Sequence, residues 1–123
     1  MKKALVVDDT DYNLTLLSAI IRKKGVEVFK AKNSEEAMKQ FTDHSPEIVF
    51  LDFLLPKKDG TEILIEMKKM NPDVIGVMVT ALSSADIVAK AKDAGASGFI
   101  TKPYDVEKIY STLKKFNIIA ENL

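Results

Sequence analysis

Residues 48–60 read Ile48-Val49-Phe50-Leu51-Asp52-Phe53-Leu54-Leu55-Pro56-Lys57-Lys58-Asp59-Gly60. The run Ile48-Val49-Phe50-Leu51 lacks the apolar–polar alternation of a strand with one wet face. A strand covered on both faces reads this way, and parallel sheets flanked by helices supply such strands. Val77-Met78-Val79 has the same character. One carboxylate, Asp52, closes the first run, and its place there needs a reason.

Outward from this stretch, short β-branched runs alternate with segments of helical period. Ala4-Leu5-Val6-Val7 precedes Leu14, Leu17, Ile20 and Ile21, an apolar helix stripe stopped by Gly25. Val26 to Ala31 precedes a helix opened by Asn33, with Glu36 three residues on as in a capping box. Ile48 to Asp52 precedes a helix from about Gly60 to Asn71, stopped by Pro72. Val74 to Thr80 precedes a helix capped at Ser83 and stopped by Gly95, and Ser97 to Thr101 precedes one that starts near Asp105 and reaches at least Lys115. Five strands strictly alternating with five helices predict an α/β fold, a doubly wound (βα)5 domain on a five-stranded parallel sheet.

The 123 residues are about one domain long and are read as a single domain over 1–123, with 118–123 as a C-terminal tail. Lys+Arg and Asp+Glu both number 18, without a basic block, which gives no support to a nucleic-acid or membrane-surface partner. The absence of cysteine excludes disulfides and thiolate metal sites. Only Ala4-Leu5-Val6-Val7 separates the Met-Lys-Lys start from Asp8-Asp9, too little for a signal-peptide core, so a cytoplasmic location is expected.

In open α/β sheets the ligand crevice lies beyond the carboxyl ends of the strands. Those ends carry Asp8-Asp9, Asp52, Thr80-Ala81 and Thr101-Lys102-Pro103. If the first, third and fourth strands are neighbours, three carboxylates, a hydroxyl and an ammonium converge. Two like charges about 4 Å apart repel by roughly 4 kcal/mol at an effective dielectric near 20, so a cation is required. A hard divalent cation with oxygen ligands suits the cluster, and Mg²⁺ suits it best because it keeps open positions for phosphate oxygens. A carboxylate so placed is a competent nucleophile toward phosphorus, with Thr80 and Lys102 available to the phosphoryl oxygens.

These residues, from Leu5-Val6-Val7-Asp8-Asp9 through Asp52, Pro56, Asp59-Gly60 and Val79-Thr80-Ala81 to Lys102-Pro103-Tyr104, resemble the receiver domain of two-component response regulators over nearly the whole chain. The resemblance implies a flavodoxin-like strand order 2-1-3-4-5. It implies Asp52 as phosphoacceptor and Asp9 as direct Mg²⁺ ligand, with Asp8 assisting through water and the Leu54 backbone carbonyl completing the set. It further implies Thr80 as switch hydroxyl, Lys102 as phosphate partner, and a cis Lys102-Pro103 peptide. Phe99 stands where the family keeps a rotating aromatic, with plain core packing as the alternative. A sensor histidine kinase or phosphotransfer protein would donate the phosphoryl group, and a downstream effector protein would read the face built by the fourth helix, fifth strand and fifth helix. No free substrate is turned over in this scheme.

Other readings stand beside it. A constitutive interaction module with vestigial phosphorylation is one. A haloacid-dehalogenase-type phosphatase, with its nucleophile on the first strand, is another, although the chain is too short for that family's cap. Asp9-Thr10-Asp11-Tyr12-Asn13 opens like a Ca²⁺ loop, but Leu14 and Ile20 occupy the positions of its glycine and bidentate glutamate. Asp59-Gly60 reads as a turn and helix entry, His44 as a surface residue, and Met38, Met67, Met70 and Met78 as core filler. Lys57 and Lys58 read as rim charges or solvated lysines. Leu54 and Leu82 are apolar where relatives can carry a group that positions hydrolytic water, which predicts a long-lived phosphoryl group. Val106, Ile109, Leu113, Phe116, Ala120 and Leu123 form one stripe if the last helix continues, and exposed Ile118, Ile119 and Leu123 would then offer a dimer or effector contact. A monomer or weak dimer is expected.

Overall fold

A computed structural model describes residues 2–121. Its elements are β1 (Lys3–Val7), α1 (Asp11–Arg22), β2 (Glu27–Ala31), α2 (Ser34–His44), β3 (Ile48–Leu51), α3 (Gly60–Met70), β4 (Ile75–Thr80), α4 (Ala85–Asp93), β5 (Gly98–Thr101) and α5 (Val106–Lys115). All sheet pairs are parallel and the strand order is β2-β1-β3-β4-β5, the flavodoxin-like arrangement expected.

The missing alternation in the strands has a direct cause. Ala4 and Val6 pack with Leu14, Leu17 and Ile109 on the face covered by α1 and α5, whereas Leu5 and Val7 pack with Ala37, Ile63 and Leu64 under α2 and α3. Both faces are core. In β3, Phe50 belongs to the first cluster and Val49 and Leu51 to the second. Fully burying one such side chain contributes about 1.5–3 kcal/mol, so a polar residue within Ile48–Leu51 is heavily disfavoured. The carboxylate therefore falls at the first position beyond the strand.

Several boundaries differ from the sequence reading. β2, β4 and β5 each begin one residue later than Val26, Val74 and Ser97, and α4 is capped by Ser84 rather than Ser83. The Thr80 hydroxyl accepts a hydrogen bond from the Leu82 N–H at 3.3 Å, which holds the chain in a turn beyond β4 and delays the helix. Ser84 Oγ then accepts from the Ile87 N–H.

α5 does not continue to the end of the chain. Asn117 takes a left-handed conformation (φ 59°), its N–H bonds the Lys114 carbonyl, and the Ile118 N–H bonds the Leu113 carbonyl at 2.9 Å. This pair of bonds is a Schellman stop, and it turns Ile118 and Ile119 back into the α1/α5 core, where both are buried. The exposed apolar tail expected at Ile118 and Ile119 is thus corrected; Leu123 lies outside the described residues. Met70 is 54% exposed and is not core filler, unlike the fully buried Met67 and Met78. His44 is half-buried, its ring stacked on Phe29 at 3.7 Å.

Candidate functional site

The strand ladders continue one step past β1, β3 and β5. Asp8 N–H donates to the Ala31 carbonyl, Asp52 N–H to the Val7 carbonyl and Lys102 N–H to the Thr80 carbonyl, each at 2.9–3.0 Å. The first side chains beyond these strands are therefore fixed by sheet hydrogen bonds rather than by loops. They meet at one end of the sheet, above the junction of β1 and β3.

Lys102 is the hub. Its Nζ donates to Asp8 Oδ2 at 2.7 Å and to Asp52 Oδ2 at 2.8 Å, and all three side chains are less than one fifth exposed. Burial pulls the Lys102 ammonium down, but the hydrogen bonds and charges of Asp52 and Asp8 outweigh it and its pKa stands above the ordinary lysine value. Its share of stability is complete below that ordinary value and is lost only as alkali takes the proton through the raised one. The other oxygens are oriented as well: Asp8 Oδ1 accepts from the Thr10 N–H at 2.9 Å and Asp52 Oδ1 from the Leu54 N–H at 3.2 Å. The Lys102-Pro103 peptide is cis.

Thr80 is fully buried at the end of β4, and Phe99 is half-buried on β5, packed against the α2/α3 core. Asp9 is exposed and lines a cleft of about 470 Å³ together with Lys32, Asn33, Ser34, Glu35, Pro56 and Lys57. Among the described residues no three acidic or imidazole side chains are gathered in a ready ligand cluster. The electrostatics account for this, because Lys102 neutralises Asp8 and Asp52 while solvent screens Asp9. The donor set nevertheless fits a hard cation. Asp8, Asp9 and Asp52 are oxygen donors on adjoining strand ends, and Asp8 and Asp52 already turn one oxygen each toward a single positive charge.

Asp59, read from the sequence as part of a turn and helix entry, caps α3. Its Oδ1 accepts the N–H groups of Thr61 and Glu62 at 2.8 and 3.0 Å, and its Oδ2 accepts from Lys90 Nζ at 2.9 Å. Burial pushes the carboxyl up, but the Thr61, Lys90 and Glu62 hydrogen bonds outweigh it and bring the pKa from 3.8 to about 2. A folded-state value below the unfolded one contributes stability above about 3.8 that is lost as pH falls through about 2. Asp59→Ala is expected to cost about 1–2 kcal/mol at pH 7 and to remove that part of the acid-unfolding profile, as followed by circular dichroism. The Asp59–Lys90 pair had no signal in the sequence, since its partners are 31 residues apart. Lys58 pairs with Glu66, and Lys57, in a left-handed conformation (φ 69°), lies 3.9 Å from Glu35.

A doubly wound α/β domain with an acid–lysine cluster at the carboxyl end of its parallel sheet is the class that fold and site define. Residues 4–114 match the family model described as response regulator receiver domain. The chain is 32% identical over 121 residues to sporulation initiation phosphotransferase F of Bacillus subtilis (strain 168), covering 98% of each chain. It is 31% identical over 114 residues to the chemotaxis protein CheY of the same organism, covering 92% of this chain and 95% of that one. The crystal structure of a CheY-like receiver domain protein from Methanospirillum hungatei JF-1 superposes with a TM-score of 0.90 at 28% identity, over 96% of this chain and 95% of that one. The chain belongs to the response regulator receiver domain family. Members of this family are signalling proteins rather than enzymes that turn over a free substrate. No helix among the described residues is long and apolar enough to cross a membrane.

Proposed function

We propose that the chain, as one receiver domain over 1–123, is a phosphoacceptor switch in which Asp52 takes a phosphoryl group from a phosphohistidine on a sensor kinase or phosphotransfer protein. The observation that carries this reading is the bridging of Asp52 and Asp8 by one buried ammonium at 2.8 and 2.7 Å. An ion pair of this kind holds a nucleophile in register and keeps a positive charge ready for the oxygens of the incoming group. In the transfer a carboxylate oxygen of Asp52 forms the new O–P bond as the P–N bond to the donor imidazole breaks, the electron pair returning to the ring nitrogen. Lys102 then pairs with the phosphoryl oxygens, and Thr80 turns its hydroxyl from the Leu82 N–H to donate to one of them. Asp8, Asp9, Asp52 and the Leu54 carbonyl would hold Mg²⁺, which when bound neutralises charge on the reacting phosphoryl oxygens.

The cleft of about 350 Å³ beside Lys102, lined in part by Tyr12, Leu16, Pro103 and Tyr104, supports docking of the donor there. Tyr12 and Leu16 are 72% and 40% exposed, an apolar surface suited to a protein partner. Drawing Thr80 toward the phosphate and turning Phe99 inward would shift the face of α4, β5 and α5, where an effector reads the state. The setting proposed is the cytoplasm, with the domain acting as a monomer or weak dimer.

Incubation with Mg²⁺ and acetyl phosphate is expected to add the mass of one phosphoryl group to the wild-type chain and none to Asp52→Asn. Absence of the gain, or its persistence in that variant, would overturn the assignment. Leu54 is 57% exposed beside Asp52, and Leu82 follows Thr80 closely; neither can hold a water for in-line attack. The aspartyl phosphate is therefore expected to last minutes or longer after donor removal, and Leu54→Asn to shorten it. A wild-type half-life of seconds would contradict this.

A further inference from the structure

α4 is held less firmly than the other helices. Between Ala85 and Asp93 only Ala91 is buried, whereas α1 and α3 each bury five residues, and alanine offers little apolar surface. The cap bond from Ile87 N–H to Ser84 Oγ is long, at 3.4 Å. Among the described residues, the side-chain hydrogen bond from α4 to another element is made by Lys90. Its Nζ donates to Asp59 Oδ2 at 2.9 Å and lies 5.3 Å from the centroid of the Phe53 ring. Those two residues bracket the loop that follows the nucleophile: Phe53 is bonded covalently to Asp52, Asp59 caps α3, and the Gly60 N–H to Phe53 carbonyl bond closes the loop at 3.0 Å. One lysine thus grips both ends of the Asp52 loop from a lightly anchored helix.

We propose that Lys90 is a positioning residue for the chemistry at Asp52, a latch through which the placement of α4 and the geometry of the 52–60 loop are coupled. The inference rests on the reading of Asp52 as phosphoacceptor. Lysine suits the role because its ammonium donates to a carboxylate and lies over an aromatic face at once. Half of the Lys90 side chain is in solvent. The pair is therefore a contact that can open, unlike the enclosed Lys102 cluster. Any displacement of α4 must release Asp59 and Phe53, and any movement of the loop must pull on α4.

Lys90→Met and Lys90→Arg in the full chain test this with two readouts. In amide hydrogen exchange, Lys90→Met is expected to speed α4 and residues 53–60 by about tenfold while α1 and α2 stay as in wild type. In acetyl phosphate titrations with Mg²⁺ its maximal labelling rate is expected to fall about fivefold at unchanged half-saturation, with Lys90→Arg restoring both readouts. Unchanged α4 exchange in Lys90→Met, faster exchange spread evenly over all helices, or a rate defect that arginine does not rescue would overturn the latch. A wild-type chain that gains no phosphoryl mass would overturn the reading of Asp52 instead, and the exchange experiment would still decide the contact.

Discussion

Gly60→Ala is expected to destabilise the domain by about 3 kcal/mol and to slow labelling of Asp52 well beyond what that loss alone produces. A Cβ on Gly60 would stand 2.2 Å from the Asp52 carbonyl oxygen and 2.9 Å from Met78 Cε. The methionine end can swing away. The carbonyl cannot, because the Asp52 N–H is committed to the Val7 carbonyl and its side chain to Lys102. Relief must come from moving the strand end that carries the nucleophile or from dragging α3 off the core formed by Ile63, Leu64 and Met67. Urea unfolding measures the first effect and the rate of mass gain the second. A variant within about 0.5 kcal/mol of wild type would show that the loop is more compliant than this contact allows.

The second large effect is expected at Lys102. In Lys102→Gln, Asp8 and Asp52 lose the one ammonium between them, and breaking a buried ion pair by removing one partner costs about 3 kcal/mol. Mg²⁺ should restore part of this stability to the variant, since the same oxygens remain and a cation is what they lack. Labelling should fall by about two orders of magnitude, the usual effect of deleting one donor to a reacting oxyanion. Thermal melts with and without Mg²⁺, read beside the labelling rate, check the prediction. A variant as stable as wild type in the absence of Mg²⁺ would mean that the two carboxylates do not depend on Lys102.

What was legible in the sequence is what repeats or what the backbone itself enforces. The continuous apolar runs at Ile48–Leu51 and Val77–Val79 disclosed strands buried on both faces, and the alternation of five runs with five helical stripes gave the layers. The strand ends then brought Asp8, Asp52 and Lys102 to one place, because in a parallel sheet all carboxyl ends point the same way. Asn33 announced α2, and its side chain does accept from the Glu36 N–H. Features that depend on distant partners were silent. The return of Ile118 and Ile119 to the core turns on Asn117 adopting φ 59°, which the 3-4 apolar spacing obscured. The shift of the α4 cap to Ser84 came from the Thr80 hydroxyl, and the Lys90 contacts with Asp59 and Phe53 exist only once α4 and the loop are side by side. The exposure of Asp9 next to the buried Asp8 carries no pattern of its own in the sequence.

The claim on which the rest depends is that the phosphoryl group forms an acyl phosphate on Asp52 and on no other carboxylate. Borohydride reduction of the phosphorylated chain converts an aspartyl phosphate to homoserine, and peptide mass spectrometry locates it. Homoserine at position 52 alone is the predicted result. Homoserine at position 8 or 9 would place the nucleophile on β1, in the manner of a phosphatase, and contradict the account.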